Sequence, residues 1–285
     1  MRYEAPGSVD EAVALLAGAD GCRVLAGGTD LLVQLRAGMI SPSVIVDIKN
    51  IPELTSISEK DGVFTVGAAV PGAELSEHAA LCKAWPGVVE GMDLVGSTQI
   101  QGRASLGGNL CNASPAADSV PAMIAARAVC IIAGPNGQRE APVEDVAIGP
   151  GKTSLAKGEF VVSIRLPKRP PHSGDAYLRF IPRTEMDIAV VGAGVSLTLD
   201  DSGTCTDARV SLGAVAARAL IVDAGAKALI GTKVDDAALE ALGAACSAAA
   251  TPITDKRGTI EFRTKVSGVM ARRAAAIALE RARSN

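Results

Sequence analysis

Thr98-Gln-Ile-Gln-Gly-Arg-Ala-Ser-Leu-Gly-Gly-Asn-Leu-Cys-Asn-Ala-Ser-Pro-Ala-Ala-Asp118 sets Gly102, Gly107 and Gly108 among Thr98, Ser105, Asn109, Asn112, Ser114 and Asp118. So few large apolar side chains build little core. Glycine lets the chain turn sharply and bring its backbone close to a ligand. Successive N–H groups in such a turn form a concavity that holds anions. The run leads into Ser114-Pro115, an N-cap residue followed by proline at the first helical position. A helix N-terminus there adds partial positive charge. On its own the stretch reads as a cradle for a phosphate or pyrophosphate.

A second glycine turn lies upstream. Arg23-Val-Leu-Ala26 reads as a short buried strand, Gly27-Gly28-Thr29-Asp30 as a turn, Leu31 to Arg36 as a helix ended by Gly38, and Ser43 to Ile48 as a strand. This order is a βαβ unit, expected to be right-handed. Ligands of such units sit beyond the carboxyl ends of the strands, where Gly27 to Asp30 lies. Ahead of it, Ser8-Val-Asp-Glu11 is a capping box, and the helix it starts runs through Ala17 to Gly18. A Gly-Gly turn before a helix also serves purely structural ends. Two hydroxyl-bearing glycine loops on different subdomains, however, fit the two ends of one long ligand with a diphosphate between them.

Beyond residue 53 the texture changes. Short strands are expected at 54–58, 62–67, 128–133 and 160–166, with helices at 71–83 and 116–127. Pro167-Lys-Arg-Pro-Pro-His-Ser-Gly174 reads as a linker. Strands follow at 177–182, 188–199 and 206–213, with Asp200-Asp-Ser-Gly203 as a turn, and then helices at 217–229, 235–250 and 259–283. The expected fold is α+β. Two N-terminal α/β subdomains (1–53 and 54–167) precede a C-terminal subdomain (175–285) made of a three-stranded antiparallel sheet with a helical bundle.

Composition narrows the function. A chain of 285 residues buries roughly 75% of its unfolded surface and needs no disulfide or metal staple. Hydrophobic residues make up 48% and aromatic ones 2%, so the core must be aliphatic and closely packed. A net charge of −3 without a basic block speaks against nucleic acid. No run approaches the ~20 apolar residues of a membrane span, and the start lacks a signal-peptide core, so a cytoplasmic protein is expected. Cys22, Cys82, Cys111, Cys130, Cys205 and Cys246 form no C-x-x-C pair and do not fit zinc or iron–sulfur ligation. His78 and His172 stand far apart, which leaves little room for a metal site or a histidine triad. Neither catalytic side chains nor metal ligands are assigned. Gly149-Pro-Gly-Lys-Thr153 resembles the end of a P-loop but has Val146 where the motif needs glycine. Arg179, Arg183, Glu185 and Asp187 form a charged patch, readable as a salt-bridged strand entrance or as a ligand-facing cluster.

Ala26-Gly-Gly-Thr-Asp-Leu31 resembles one of the two flavin-binding signatures of the FAD (medium) subunit of molybdenum hydroxylases, the xanthine dehydrogenase and carbon monoxide dehydrogenase type. Ser105-Leu-Gly-Gly-Asn109 followed by Asn112-Ala-Ser-Pro-Ala-Ala-Asp118 resembles the other. The resemblance continues through Lys152 to Leu155, Gly158 to Pro167, Asp187-Ile-Ala-Val-Val191, Asp255-Lys-Arg-Gly258 and Phe262-Arg263. It implies FAD in a cleft between the N-terminal pair of subdomains and the C-terminal one, with the diphosphate on backbone N–H groups of Ala26 to Asp30 and Ser105 to Asn109. The implied cofactor positions are Leu25, Ala26, Gly27, Gly28, Thr29, Asp30, Leu31, Thr98, Gly102, Ala104, Ser105, Gly107, Gly108, Asn109, Leu110, Ser114, Asp118, Val161, Val162 and Arg179. Of these, Asp118 matches a cofactor-contacting position, and Val161 or Val162 and Arg179 match positions near the flavin or adenine end. Three departures stand out: Gln101-Gly102 where the family often has Arg-Asn, Phe262 for a usual Tyr, and Arg179 for a frequent Lys. None removes a backbone donor.

The resemblance implies an electron-transfer subunit of a heterotrimer. It would take electrons from an iron–sulfur subunit, beside a molybdenum-cofactor subunit that hydroxylates substrate, and pass them from FAD to an external electron acceptor. The lack of cluster cysteines and of an acid–base constellation agrees with a chain whose flavin does the chemistry. The alternatives are a free-standing FAD-dependent oxidase or dehydrogenase acting on a small organic substrate, and a nucleotide-binding sensor.

Overall fold

The computed structural model describes all 285 residues. The chain opens with β1 (Arg2–Glu4), α1 (Val9–Gly18), β2 (Arg23–Leu25), α2 (Leu31–Arg36) and β3 (Val44–Asp47). Ser8 Oγ accepts from Glu11 N at 3.3 Å, and Glu11 Oε2 reaches back to Gly7 N at 2.8 Å, so the capping box starts α1. The three strands form a parallel sheet in the order β1-β3-β2. The central strand β3 is buried throughout, as expected for a strand covered on both faces. The βαβ unit is where the sequence puts it. β1 was not anticipated, because Arg2-Tyr-Glu4 carries no apolar alternation.

The second layer follows with β4 (Ile57–Lys60), β5 (Val63–Gly67), α3 (Gly72–Glu77), α4 (Ala79–Ala84), α5 (Pro86–Asp93), α6 (Thr98–Gln101), α7 (Leu106–Cys111), α8 (Ser119–Ala125), β6 (Val129–Gly134), β7 (Gly137–Pro142), β8 (Ala147–Gly149), β9 (Lys152–Thr153) and β10 (Phe160–Leu166). Five of these strands make an antiparallel sheet in the order β4-β5-β10-β6-β7. The single helix expected over 71–83 is two. His78 breaks it, and its Nδ1 then accepts from Leu81 N at 3.2 Å to start α4. Pro86 in turn starts α5. Ser114-Pro115 does not open a helix: Ser114 Oγ accepts from Ala116 N at 3.2 Å within a turn. The helix begins instead at Ser119, whose N–H and Oγ both donate to Asn109 Oδ1, at 3.3 and 2.7 Å. β7 is a charged edge strand, and its polar sequence gave no apolar signal.

The last third holds β11 (Ser173–Phe180), β12 (Val191–Leu199), β13 (Cys205–Gly213), β14 (Leu220–Ile221), α9 (Asp223–Leu229), α10 (Asp236–Ala249) and α11 (Ile260–Ser284). The sheet is four-stranded, not three-stranded. Leu220 and Ile221 pair with Leu212 and Ser211, which takes the first residues of the helix expected at 217–229. β11 also begins inside the stretch read as a linker.

Small residues let this sheet lie close to helices on both faces. Ala271, Ala274, Ala275, Ala278 and Ala282 of α11 are buried against one face. There the approach is so tight that a Cβ on Gly174 would stand 1.9 Å from Ala278 O. On the other face, a Cβ on Gly194 would meet Pro121 O of α8 at 2.5 Å. α8 thus seats the third sheet on the second layer. Polar clamps join the same parts. Asp175 Oδ2 accepts from Gly87 N at 2.9 Å, and Glu90 Oε2 accepts from Tyr177 N at 3.0 Å while Glu90 pairs with Arg281. No helix is long and apolar enough to cross a membrane.

Gly174→Ala tests this packing. The added methyl collides with helix backbone, which cannot rotate away, so stability should fall by about 3 kcal/mol. The measurement is the urea midpoint at an unchanged denaturant slope. A midpoint like that of the wild type would show that α11 does not press on β11 as described.

Candidate functional site

Two loops from different sheets meet at one point. After β2 the chain passes through Gly27, where a Cβ would lie 1.7 Å from Arg103 O, so only glycine permits the contact. Gly28 has φ +79°, a backbone region that favours glycine. From the other side, Ser105 caps α7: its Oγ accepts from Gly108 N at 3.1 Å. Gly107 packs its α-carbon against Ala68, whose O would stand 2.6 Å from an added Cβ. Gly108 is different. A Cβ there would meet only Ser105 Oγ, at 3.1 Å, and the space beyond is open.

The N–H groups of Gly27, Gly28, Thr29 and Asp30 donate to no carbonyl or side-chain acceptor, and neither do those of Leu106 and Gly107 in the first turn of α7. All of these residues except the buried Leu106 line a cleft of about 510 Å³. Of the anticipated residues, Ala26, Gly27, Gly28, Thr29, Asp30, Leu31, Ala104, Ser105, Gly107, Gly108, Asn109 and Val161 line it. The others lie elsewhere. Leu25, Leu110 and Val162 are buried in the core. Thr98 and Gly102 bound the short helix α6, and Ser114 holds its turn. Asp118 and Arg179 meet each other. The two loops are also tied through α2, where Gln34 Nε2 donates to Asn112 Oδ1 at 3.0 Å.

A third wall was missed. Asp20 to Val24, Cys111, and the segment from Gly151 through Thr153 to Phe160 complete the cleft. Part of it is the Gly149-to-Thr153 stretch set aside as a false P-loop. It forms the β8–β9 hairpin, and Gly151 N donates to Ala113 O at 3.0 Å. The available signal was Gly151 and Gly158, at φ +65° and +83°. Across the mouth, Lys157 Nζ reaches Asp20 Oδ1 at 2.6 Å, an exposed pair of little energetic weight.

Asp118 sits just before α8 and is buried. Its Oδ1 accepts from Tyr177 OH at 2.8 Å and its Oδ2 from Arg179 Nη1 at 2.9 Å. Arg179 Nη1 also donates to Leu94 O at 2.6 Å, beside the cleft-lining Val95. Tyr177 and Arg179 alternate along β11 and so share the face turned to α8. Burial pushes the Asp118 carboxyl up to about 6, against the downward pull of Arg179 and Tyr177. The charged patch around it divides. Arg179 belongs to this buried pair, whereas Asp187 braces Arg257 at 2.9 Å and Arg183 at 3.4 Å. Phe262 stands edge-on to Phe180 at 5.6 Å, and Arg263 ties Val190 O, Ala214 O and Asp255 together.

The arrangement suits a long ligand with a diphosphate near its middle. Residues with unpaired N–H groups line the cleft from two loops, and apolar residues such as Val95 and Val161 line it further along. The similarities to known proteins agree. Residues 1–169 match the family model described as the FAD binding domain in molybdopterin dehydrogenase, and 176–278 match the CO dehydrogenase flavoprotein C-terminal domain. The carbon monoxide dehydrogenase medium chain of Afipia carboxidovorans is 34% identical over 284 residues, covering 99% of this chain and 98% of that one. The xanthine dehydrogenase FAD-binding subunit of Escherichia coli O157:H7 is 29% identical over 273 residues, covering 95% and 93%. In structure, a chain of the Cu,Mo-CO dehydrogenase superposes with a TM-score of 0.94 at 33% identity, covering 99% of this chain and 98% of that one.

Asp118 makes stability depend on pH in a defined direction. Its carboxyl titrates higher in the folded chain, at about 6, than the ordinary value of about 4. The folded state therefore holds this proton more tightly than the unfolded state does. The stability it contributes is complete below pH about 4 and is lost as pH rises through about 6. Relative to Asp118→Asn, the wild type should lose up to about 3 kcal/mol across that window. Denaturation midpoints of the two proteins taken from pH 4 to 7 measure this difference, and parallel curves would refute it.

Proposed function

The chain belongs to the FAD-binding medium subunits of the carbon monoxide and xanthine dehydrogenase type of molybdenum hydroxylase, and from that premise we propose that it is the flavin station of a heterotrimer, loaded by an iron–sulfur subunit. It is an oxidoreductase subunit, and its cofactor is FAD. A molybdenum-cofactor subunit performs the hydroxylation, so substrate identity resides on another chain. An external acceptor takes the electrons away, and the assembly works in the cytoplasm.

One observation carries this reading: two glycine loops, from two separate sheets, turn unpaired N–H groups into one cleft. In this proposal the N–H groups of Gly27 to Asp30 and of Leu106 and Gly107 hold the diphosphate. Oriented backbone dipoles suit an anion of fixed position and need no charged side chain. Bound FAD supplies the electron chemistry. The residues of this chain bind it, orient it and cover it. Ser105 fixes the first turn of α7, Val95 and Val161 shield the flanks, and the Asp118–Arg179 pair holds the turn at Leu94 next to Val95. The match of both halves of the chain to the flavoprotein domains of that family favours an electron-transfer station over a free-standing oxidase.

Gly108 gives the sharpest test, because a side chain there meets only Ser105 Oγ before it enters the cleft. Gly108→Leu should purify without the visible flavin absorbance and keep a melting temperature near that of the apo wild type. The native chain should co-purify with an iron–sulfur chain and a molybdenum chain. A yellow Gly108→Leu protein would remove the cradle. Turnover of an organic substrate by the isolated chain would overturn the subunit role.

A further inference from the structure

Behind the first loop stands a charged relay outside both glycine signatures. β3 ends at Asp47, and Lys49 follows two residues later. Lys49 Nζ donates to Ala26 O at 3.0 Å and to Asp47 Oδ1 at 2.6 Å. Asp47 Oδ1 also accepts from Lys49 N at 3.1 Å, and Asp47 Oδ2 accepts from Tyr3 OH at 2.5 Å. β1, β3 and the turn after β2 are thereby joined through one buried carboxylate. Burial pushes the Asp47 carboxyl up, but the bonds from Lys49 and Tyr3 outweigh it and hold it below its ordinary range. Asp47 therefore stays ionised and keeps Lys49 in place.

The relay ends on the peptide that begins the cradle. A trans peptide is planar, so its C=O and N–H point in opposite directions. Pinning Ala26 O to Lys49 fixes the direction of the Gly27 N–H away from Lys49. Ala26 and Gly27 both line the cleft, whereas Lys49 does not. We infer that Lys49, steadied by Asp47 and Tyr3, is a positioning residue that pre-orients the Ala26–Asp30 turn for the diphosphate of its ligand. This rests on the flavin reading above. The carbonyls of Gly28 and Asp30 accept from Leu32 N and Gln34 N, at 3.0 and 2.9 Å, but no backbone bond holds the Ala26–Gly27 peptide, so its direction must be set from behind. Lys49 supplies a charge-assisted bond for that purpose. It also places a cation one peptide unit from the anion.

The test separates diphosphate binding from general bracing. Full-length chain stripped of flavin is titrated with FAD, then with ADP and with riboflavin. ADP carries the diphosphate without the flavin ring, and riboflavin carries the ring without the diphosphate. Lys49→Met should weaken FAD and ADP by about tenfold or more and leave riboflavin within about twofold. Lys49→Arg, which keeps a cationic donor, should recover most of the loss. Equal loss of all three ligands, or no loss of FAD and ADP, would overturn the inference. Should Lys49→Met not fold, Tyr3→Phe decides, since Tyr3 is exposed and its hydroxyl only steadies Asp47. It should cost FAD and ADP about threefold and riboflavin nothing, and indifference to all three ligands would overturn the relay. A wild-type chain that binds no FAD defeats the flavin reading itself. One that binds FAD while Lys49→Met is indifferent defeats only this inference.

Discussion

The contact of Gly27 with the Arg103 backbone is the constraint on which the rest of the cleft depends. Two loops rooted in different sheets touch there with no side chain between them. Any Cβ would push the N-terminal parallel sheet away from α7 and separate the two sets of N–H donors. The same solution recurs through the molecule. Gly67 lies against Leu54, Gly107 against Ala68, Gly174 against α11 and Gly194 against α8, each too close for a methyl group. A chain with 30 glycines and 2% aromatic residues builds its core by bringing backbones together, not by filling gaps with large rings.

Close packing sets distances, and buried polar pairs set orientation. The third sheet meets the second layer through Asp118 with Tyr177 and Arg179, through Asp175 with Gly87 and Arg169, and through Glu90 with Arg281. Taking such charges out of water is costly, and the raised carboxyls of Asp118 and Asp175 reflect that cost. Their value lies in direction. Each carboxylate accepts from donors in fixed places, so the third sheet seats in one register on α5 and α8. The C-terminal sequence pattern does similar work at the far end, where Arg263 gathers the carbonyls of Val190 and Ala214 and Arg257 holds Asp187.

What could be read from the sequence follows from how local each signal is. Glycine turns announce themselves, so the βαβ unit and the two facing loops were legible as Gly27 to Asp30 and Ser105 to Asn109. The strands at β1, β7 and β14 were not. Arg2-Tyr-Glu4 and Gly137 to Pro142 are polar edge segments whose pairing is decided by the neighbouring strand, and Leu220-Ile221 is too short to show a period. The third wall of the cleft was hidden for another reason. Its residues come from the β8–β9 hairpin and the approach to β10, and their one signal, Gly151 and Gly158, does not by itself distinguish a wall from a surface turn. Asp118 was legible as important, but its partners were not, because Tyr177 and Arg179 reach it only through the register of β11 on α8.

Gln101 and Arg179, two of the departures from the family pattern, meet at one turn. Gln101, which stands where Arg is frequent, donates through Nε2 to Val95 O at 3.4 Å and also to Asp93 O. Arg179, which stands where Lys is frequent, takes the intervening Leu94 O together with Asp118. Two unusual residues, one from each side, thus hold three consecutive carbonyls, and the middle of that turn carries Val95 to the cleft wall. A lysine at 179 would bring a single ammonium in place of a planar guanidinium fork. Changing either alone would leave the turn held from one side. Together the two side chains fix the turn that places Val95 at the cleft wall. The third departure fits this pattern: Phe262 replaces a hydroxyl-bearing ring but still packs edge-on against Phe180, so the strand that carries Arg179 keeps its support. The side chains that brace the cleft thus act from outside it, and the backbone that would face a ligand stays bare.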